Sequence, residues 1–305
     1  MIDYNFVHYL TAKKTVDDRA LNDHVWETLR RALPPPPLRV LEVGAGIGTM
    51  VERMLERQLL TDGAFTAVDA EPGCLAEARR RLLRWAAATG WEASEAADGQ
   101  LVLTHLDRRM TVDLVSADVF EFAGHPQNRH GWDLLIAHAF LDLLEVATAL
   151  PLLFACLRPG GLFYFTLNFD GATILQPAID PALDAKIEGL YHRTMDERIT
   201  AGKPSGDSRT GRRLFGHLRR AGAELLGAGS SDWVVFARAG GYPDDEAYFL
   251  HHIIHFIAGA LRGHPELDSQ TFATWIAERH AQIERGELVY VAHQLDFVGR
   301  VNARP

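Results

Sequence analysis

Cysteine is nearly absent: only Cys74 and Cys156 occur in 305 residues. Two distant thiols in apolar surroundings build neither a disulfide framework nor a zinc site. No apolar run approaches the ~18 residues needed to span a bilayer. The opening stretch, MIDYNFVHYLTAKK, lacks the apolar segment and small-residue cleavage signal of a secretory leader. No membrane partner is therefore expected, and a cytoplasmic location is the default. Positive charge is scarce as well. The chain has 31 Lys and Arg against 40 Asp and Glu, a net charge of −9, which argues against a broad nucleic-acid surface. No internal repeat is evident, and residues 34–37, four prolines, are the only low-complexity run. What remains is a hydrophobic fraction of 47%, ordinary for a globular chain with a sizeable core.

The apolar pattern predicts a mostly helical stretch over 1–33, with Val16, Ala20, Val25, Leu29 and Ala32 at helical spacing, and then an alternation. LRVLEV (38–43) reads as a strand, 50–60 as a helix, 65–69 as a second strand and 71–90 as a helix stopped by Gly90. LVLTHLD (101–107) and MTVDLVSAD (110–118) read as a hairpin about Arg108-Arg109. WDLLIAH (132–138) is a further strand, 139–157 is helical with a break at Pro151, and GLFYFTLN (161–168) is the fifth strand. After Asn168 the rhythm lapses. Asp180-Pro181 is a helix start, an N-cap followed by proline in the first turn. AELLGAG and DWVVFAR, joined at Ser230-Ser231, read as an antiparallel pair at the sheet edge. Residues 287–298 fit strand or helix. Strands alternating with helices predict a doubly wound, mostly parallel α/β sheet.

The most specific local signal is VLEVGAGIGTM, residues 40–50, in which Glu42, Gly44, Gly46 and Gly48 follow one another at alternate positions. The dinucleotide fingerprint G-x-G-x-x-G would need glycine at Thr49, so that class is excluded. The acidic-x-G-x-G-x-G spacing resembles the first motif of class I S-adenosylmethionine-dependent methyltransferases. Val68-Asp69 at the end of the second strand, Asp118-Val119 after the third, and Leu157-Arg158-Pro159-Gly160-Gly161 before the fifth resemble that family's later motifs, in order. The resemblance implies a Rossmann-like methyltransferase fold with a seven-stranded sheet and helical N- and C-terminal additions. It also implies S-adenosyl-L-methionine as cofactor. Residues 1–37 would be a helical cover, 38–238 the core with an insertion at 169–207, and 239–305 a mostly helical cap. By the same resemblance Glu42 orients the turn or the methionine amine, and Gly44, Ala45, Gly46 and Gly48 admit the cofactor. Asp69 takes the ribose hydroxyls, Ala70 lies beside adenine, Asp118 accepts the adenine amino group and Val119 donates a backbone N–H to the ring.

The fourth strand ends in His138-Ala139-Phe140-Leu141-Asp142, without the Asn/Asp-Pro-Pro-aromatic signature of enzymes that methylate nucleobases or glutamine amides. With the acidic charge, this points to a small-molecule substrate and no nucleic acid. His138 is the candidate base; an ordinary imidazole there would make the rate rise with pH near neutrality. It also stands where it could instead bond backbone at the cofactor's methionine end. Candidate substrate contacts are Tyr9, Asp142, Asn168, Asp170, His192, Arg209, His251 and His255. His251 and His255 stand one helical turn apart, but no third ligand follows, so no metal is expected. The expected reaction is O- or N-methylation, then C-methylation. The alternatives are a non-catalytic S-adenosylmethionine-binding protein and a methyltransferase acting on protein or RNA. A homodimer is compatible with the sequence.

Overall fold

A computed structural model describes residues 3–200 and 202–302. Its first helices are α1 (Phe6–Ala20) and α2 (Asp23–Ala32), so the predicted helical stretch is two helices divided at Leu21-Asn22. The cause is local: the side chains of Asn5 and Asn22 accept the backbone N–H groups of His8 and Val25, each opening a helix. The prolines lead into β1 (Leu38–Val43), followed by α3 (Thr49–Glu56), β2 (Asp62–Asp69) and α4 (Pro72–Thr89). Then come β3 (Glu92–Glu95), β4 (Leu101–His105) and β5 (Arg108–Ser116). The β4–β5 turn is Leu106-Asp107, with Leu106 at φ 56°, two residues before the expected corner.

Next are α5 (Val119–Gly124), β6 (Trp132–His138), α6 (Val146–Cys156) and β7 (Leu157–Gln176). Residues 139–145, expected to be helical, form a loop with one 3₁₀ turn at Leu141–Leu143. Pro151 lies inside α6 without breaking it, because Pro151 and Ala147, one turn back, are both on the exposed face, where water can take the freed carbonyl. Asp180 opens α7 (Pro181–Asp196) as predicted, accepting from the N–H groups of Ala182 and Leu183. The remaining elements are β8 (Ile199–Thr200), β9 (Lys203–Pro204), α8 (Thr210–Arg220), β10 (Ala223–Ser230), β11 (Trp233–Val235), α9 (Glu246–Leu261), α10 (Ser269–Glu284) and β12 (Val289–Val301).

The sheet runs β10-β12-β7-β6-β1-β2-β5-β4-β3, with β11 beside β12. Neighbours from β7 through β6, β1 and β2 to β5 are parallel; β12 is antiparallel to β7, β10 and β11. This is the expected mixed α/β class, but the sheet has 10 strands rather than seven. The β3–β4 ribbon extends one edge, and β11 adds a short strand along β12. The predicted hairpin at Ser230-Ser231 is also replaced: β10 and β11 pair with β12, not with each other. Residues 289–301 are therefore a strand inside the sheet. The range 38–238 does not hold the whole sheet, and α9–α10 are a helical excursion between β11 and β12.

Every residue of β6 is buried, and Val40, Leu41 and Val43 of β1 are at 0% exposure, as a parallel sheet covered on both faces requires. One apolar cluster joins α2, α3 and α4 to the sheet; another joins α6 and α8 to the opposite face. A third joins α1, α7, α9 and α10 around Tyr9, Phe249, Trp275 and Tyr290. Among the described residues no helix is long and apolar enough to cross a membrane.

Candidate cofactor and substrate cavity

The chain leaves β1 toward β2 on one side and returns as β6 on the other, so the carboxyl end of β1 is the switch point at which open α/β sheets bind ligands. The glycine turn is there. Gly44, Gly46 and Gly48 have φ values of 67°, 53° and 76°, a left-handed backbone that side chains disfavour. At Gly44 a Cβ would lie 2.3 Å from the Phe140 ring, so side chains are excluded by contact as well as by φ. Asp69 braces the turn: Oδ2 accepts the Gly46 N–H at 2.7 Å and Oδ1 the Glu71 N–H at 2.9 Å. Asp118 caps α5 through Oδ1 alone, which accepts from Phe120 and Glu121. Beneath the turn Glu42 is buried with Oε2 unpartnered. Burial pushes its pKa up to about 8, helped by Asp69 and opposed by Arg53.

These residues open onto a cavity of 1690 Å³. Gly44, Ala45, Gly46, Asp69, Ala70, Asp118, Val119 and His138 line it; Glu42 and Gly48 do not. Gly48 instead caps α3 and packs against Ala78. The far wall comes from α1 (Tyr9, Lys13, Asp17), α7 (Tyr191, Met195), α9 (Ile253, Phe256), Trp233, and Tyr290 and Gln294 of β12. Of the predicted substrate residues, Tyr9 and Asp142 reach the cavity. The others do not. Asn168 donates to the Leu295 carbonyl, Asp170 is bound by Arg212, and Arg209 is exposed. His192 bonds the Thr173 hydroxyl, His251 meets His280 at 2.8 Å between Nδ1 atoms, and His255 stacks on Tyr4.

His138 lines the cavity but is only 8% exposed, and both ring nitrogens are engaged. Nδ1 is 2.7 Å from the Thr166 hydroxyl; Nε2 is 3.1 Å from Asp17 Oδ2 and from Arg53 Nη1. Burial and the Arg53 charge lower its pKa to about 4, against the pull of Asp17. The expected rate rise through an ordinary imidazole pKa is therefore corrected: this ring is neutral well below neutrality, and its proton-accepting positions are in use.

Asp17, at 2% exposure, is the hub that sequence reasoning missed. Oδ2 also accepts from Lys13 at 2.7 Å and lies 3.6 Å from Arg53; Oδ1 accepts the Trp233 indole N–H at 2.9 Å. Burial disfavours its charge, yet Lys13, His138 and Arg53 outweigh burial and hold its carboxyl well below the usual range. Lys13 and Asp17 have the i, i+4 spacing of an ordinary solvated helix pair. Only the docking of α1 against β6, α3 and β11 turns that pair inward.

No protein-family model matches the sequence, and no curated protein does. Solved structures do match. A candidate type II methyltransferase from Anaeromyxobacter dehalogenans aligns over 93% of this chain and 97% of its own, with TM-score 0.51 at 17% identity. A candidate methyltransferase from Bacillus halodurans C-125 aligns over 92% of this chain and 100% of its own, with TM-score 0.50 at 12% identity. The chain has the fold of the class I methyltransferases. In that fold β12 fills the place of the antiparallel strand next to β7, and the glycine turn, Asp69 and Asp118 stand at the ends of β1, β2 and β5. Fold by itself does not fix chemistry, which has to be argued from the cavity.

Proposed function

We propose that this chain binds S-adenosyl-L-methionine against the glycine turn and transfers its methyl group to a small molecule held in the same cavity, on nitrogen or oxygen, with carbon next. The observation that carries this reading is one cavity lined on one side by the turn, Asp69 and Asp118, and on the other by aromatic side chains from α1, α7, α9 and β12. The donor and acceptor set fits the cofactor. Asp118 keeps Oδ2 free of the cap, Asp69 keeps further lone pairs, and the Val119 N–H has no partner among the described residues. The orphaned Glu42 Oε2 lies below the turn, where burial keeps the carboxyl largely protonated and a ligand ammonium would draw it toward the charged form. When bound, the cofactor supplies an electrophilic methyl group on a sulfonium. The protein's part is to hold the acceptor atom in line and keep water out. The cover by α1 and α9 supports a small substrate over a protein or RNA. The bonds already made by His138 favour a positioning role for it. They are also what a non-catalytic cofactor-binding protein would have.

Calorimetry tests the cofactor. S-adenosylmethionine and S-adenosylhomocysteine should bind and NAD should not. Asp69→Ala removes charge-assisted hydrogen bonds worth ~1.5–3 kcal/mol, a ten- to hundredfold loss of affinity. Binding of NAD, or unchanged affinity in Asp69→Ala, overturns the reading.

A further inference from the structure

The acceptor side of the cavity carries groups that methyl transfer alone leaves unassigned. Asp142, on the loop after β6, lines the cavity with Oδ1 buried and unpartnered. Gln294 of β12, at 2% exposure, lines it too, with Oε1 unpartnered. Tyr9, Tyr191 and Trp233 stand in the same wall, and the charge of Asp142 is felt by both tyrosines. Among the described residues, seven carboxylate residues line the cavity against two cations, Lys13 and Arg198. Lys13 is already committed to Asp17.

We propose that this side takes a protonated primary or secondary amine, bound through its N–H groups by Asp142 and Gln294, and that Asp142 receives the proton released as the nitrogen is methylated. The proposal rests on the methyl-transfer reading above. A neutral hydroxyl compound would leave the buried carboxylate without a directly paired counter-charge, since Arg198 and Lys13 act on it only through space. An ammonium group pairs with it, and its flanking C–H and N–H groups suit the faces of tyrosine and tryptophan. Burial raises the Asp142 pKa to about 6, against Arg198 and Lys13, so the carboxyl is ionised at neutral pH yet a better proton acceptor than an exposed aspartate. In the transfer, one ammonium proton passes to Asp142, and the freed nitrogen lone pair forms the new bond to the methyl carbon. The carbon–sulfur electron pair stays on sulfur, which becomes a neutral thioether. The product leaves as an ammonium with one more methyl group, and Asp142 returns its proton to water.

The test is calorimetry at pH 7.5 on the full chain saturated with S-adenosylhomocysteine, titrated with 2-phenylethylamine and with 2-phenylethanol. The amine should bind about tenfold or more tightly than the alcohol. Asp142→Asn should erase that preference without changing affinity for S-adenosylhomocysteine. Gln294→Leu should weaken the amine at least threefold and leave the alcohol unchanged. An amine that binds no better than the alcohol, or a preference that survives Asp142→Asn, overturns the proposal. Failure of S-adenosylhomocysteine itself to bind overturns the underlying reading instead.

Discussion

Replacing Asp17 by asparagine should unlatch α1 from the sheet at a measurable cost. The amide keeps an oxygen for the Trp233 indole but loses the charge that Lys13 approaches to 2.7 Å. Arg53 retains Asp18 as a partner, so the group left without a counter-ion is Lys13, 7% exposed. Removing one member of a buried ion pair costs ~3–5 kcal/mol. The lower end applies here, because the Arg53 charge is still balanced. Urea denaturation followed by tryptophan fluorescence should show the midpoint falling by that amount divided by the m-value. The decisive variant is Asp17→Asn combined with Lys13→Met. Removing the orphaned ammonium should recover at least half of the loss, since an apolar side chain of similar length fills the same space. A loss below ~1 kcal/mol in the single variant, or no recovery in the double one, would refute the hub and leave the ion pair without energetic weight.

His138 should make stability fall on acidification. Its pKa is lowered from 6.5 to about 4 in the fold, so the unfolded chain gains a proton that the folded chain refuses; stability present above pH 6.5 is lost progressively down to pH 4, about 3 kcal/mol in total. Denaturation midpoints of His138→Asn should lack that slope between pH 6.5 and 4, and parallel curves would refute the assignment. For the same reason turnover should show no step near pH 6.5 that vanishes in His138→Asn. Deleting residues through Ala20 should leave the sheet folded by circular dichroism but weaken cofactor retention and raise binding of an apolar dye; unchanged retention would remove α1 from the role of cover. The cut stops there because Val25, Trp26 and Leu29 of α2 belong to the sheet's own core.

What could be read in advance were features written in consecutive residues. The turn at Gly44, Gly46 and Gly48, the acid at Asp69 and the Asp180-Pro181 helix start each depend on neighbours a few positions away, and each is found where expected. What escaped was decided by distant packing. Pairing of Leu162 with Arg300, and of Ala223 with Val301, sets β12 as a strand, and nothing within 289–301 announces those partners. Asp17 stands out nowhere in the sequence because its burial comes from Trp233 and His138, more than a hundred positions away. The histidines are the opposite case. His251 and His255 stand one helical turn apart in the sequence, yet neither they nor His192 line the cavity, and the ring of each meets a neighbouring side chain.

The placement of β12 also orders events in time as the chain folds. The β12 edge of β7 and the whole of β10 wait for a segment that follows α9 and α10, so the pairing of Leu162 with Arg300 must close a very long loop. Pairings between such distant segments raise contact order and slow folding. Until they form, β7 presents an open apolar edge to other chains, the kind of edge that seeds aggregation. Dilute, cool refolding should therefore give better yields than concentrated refolding. A chain interrupted between β11 and β12 would keep the parallel half of the sheet and lose the strand that anchors β10.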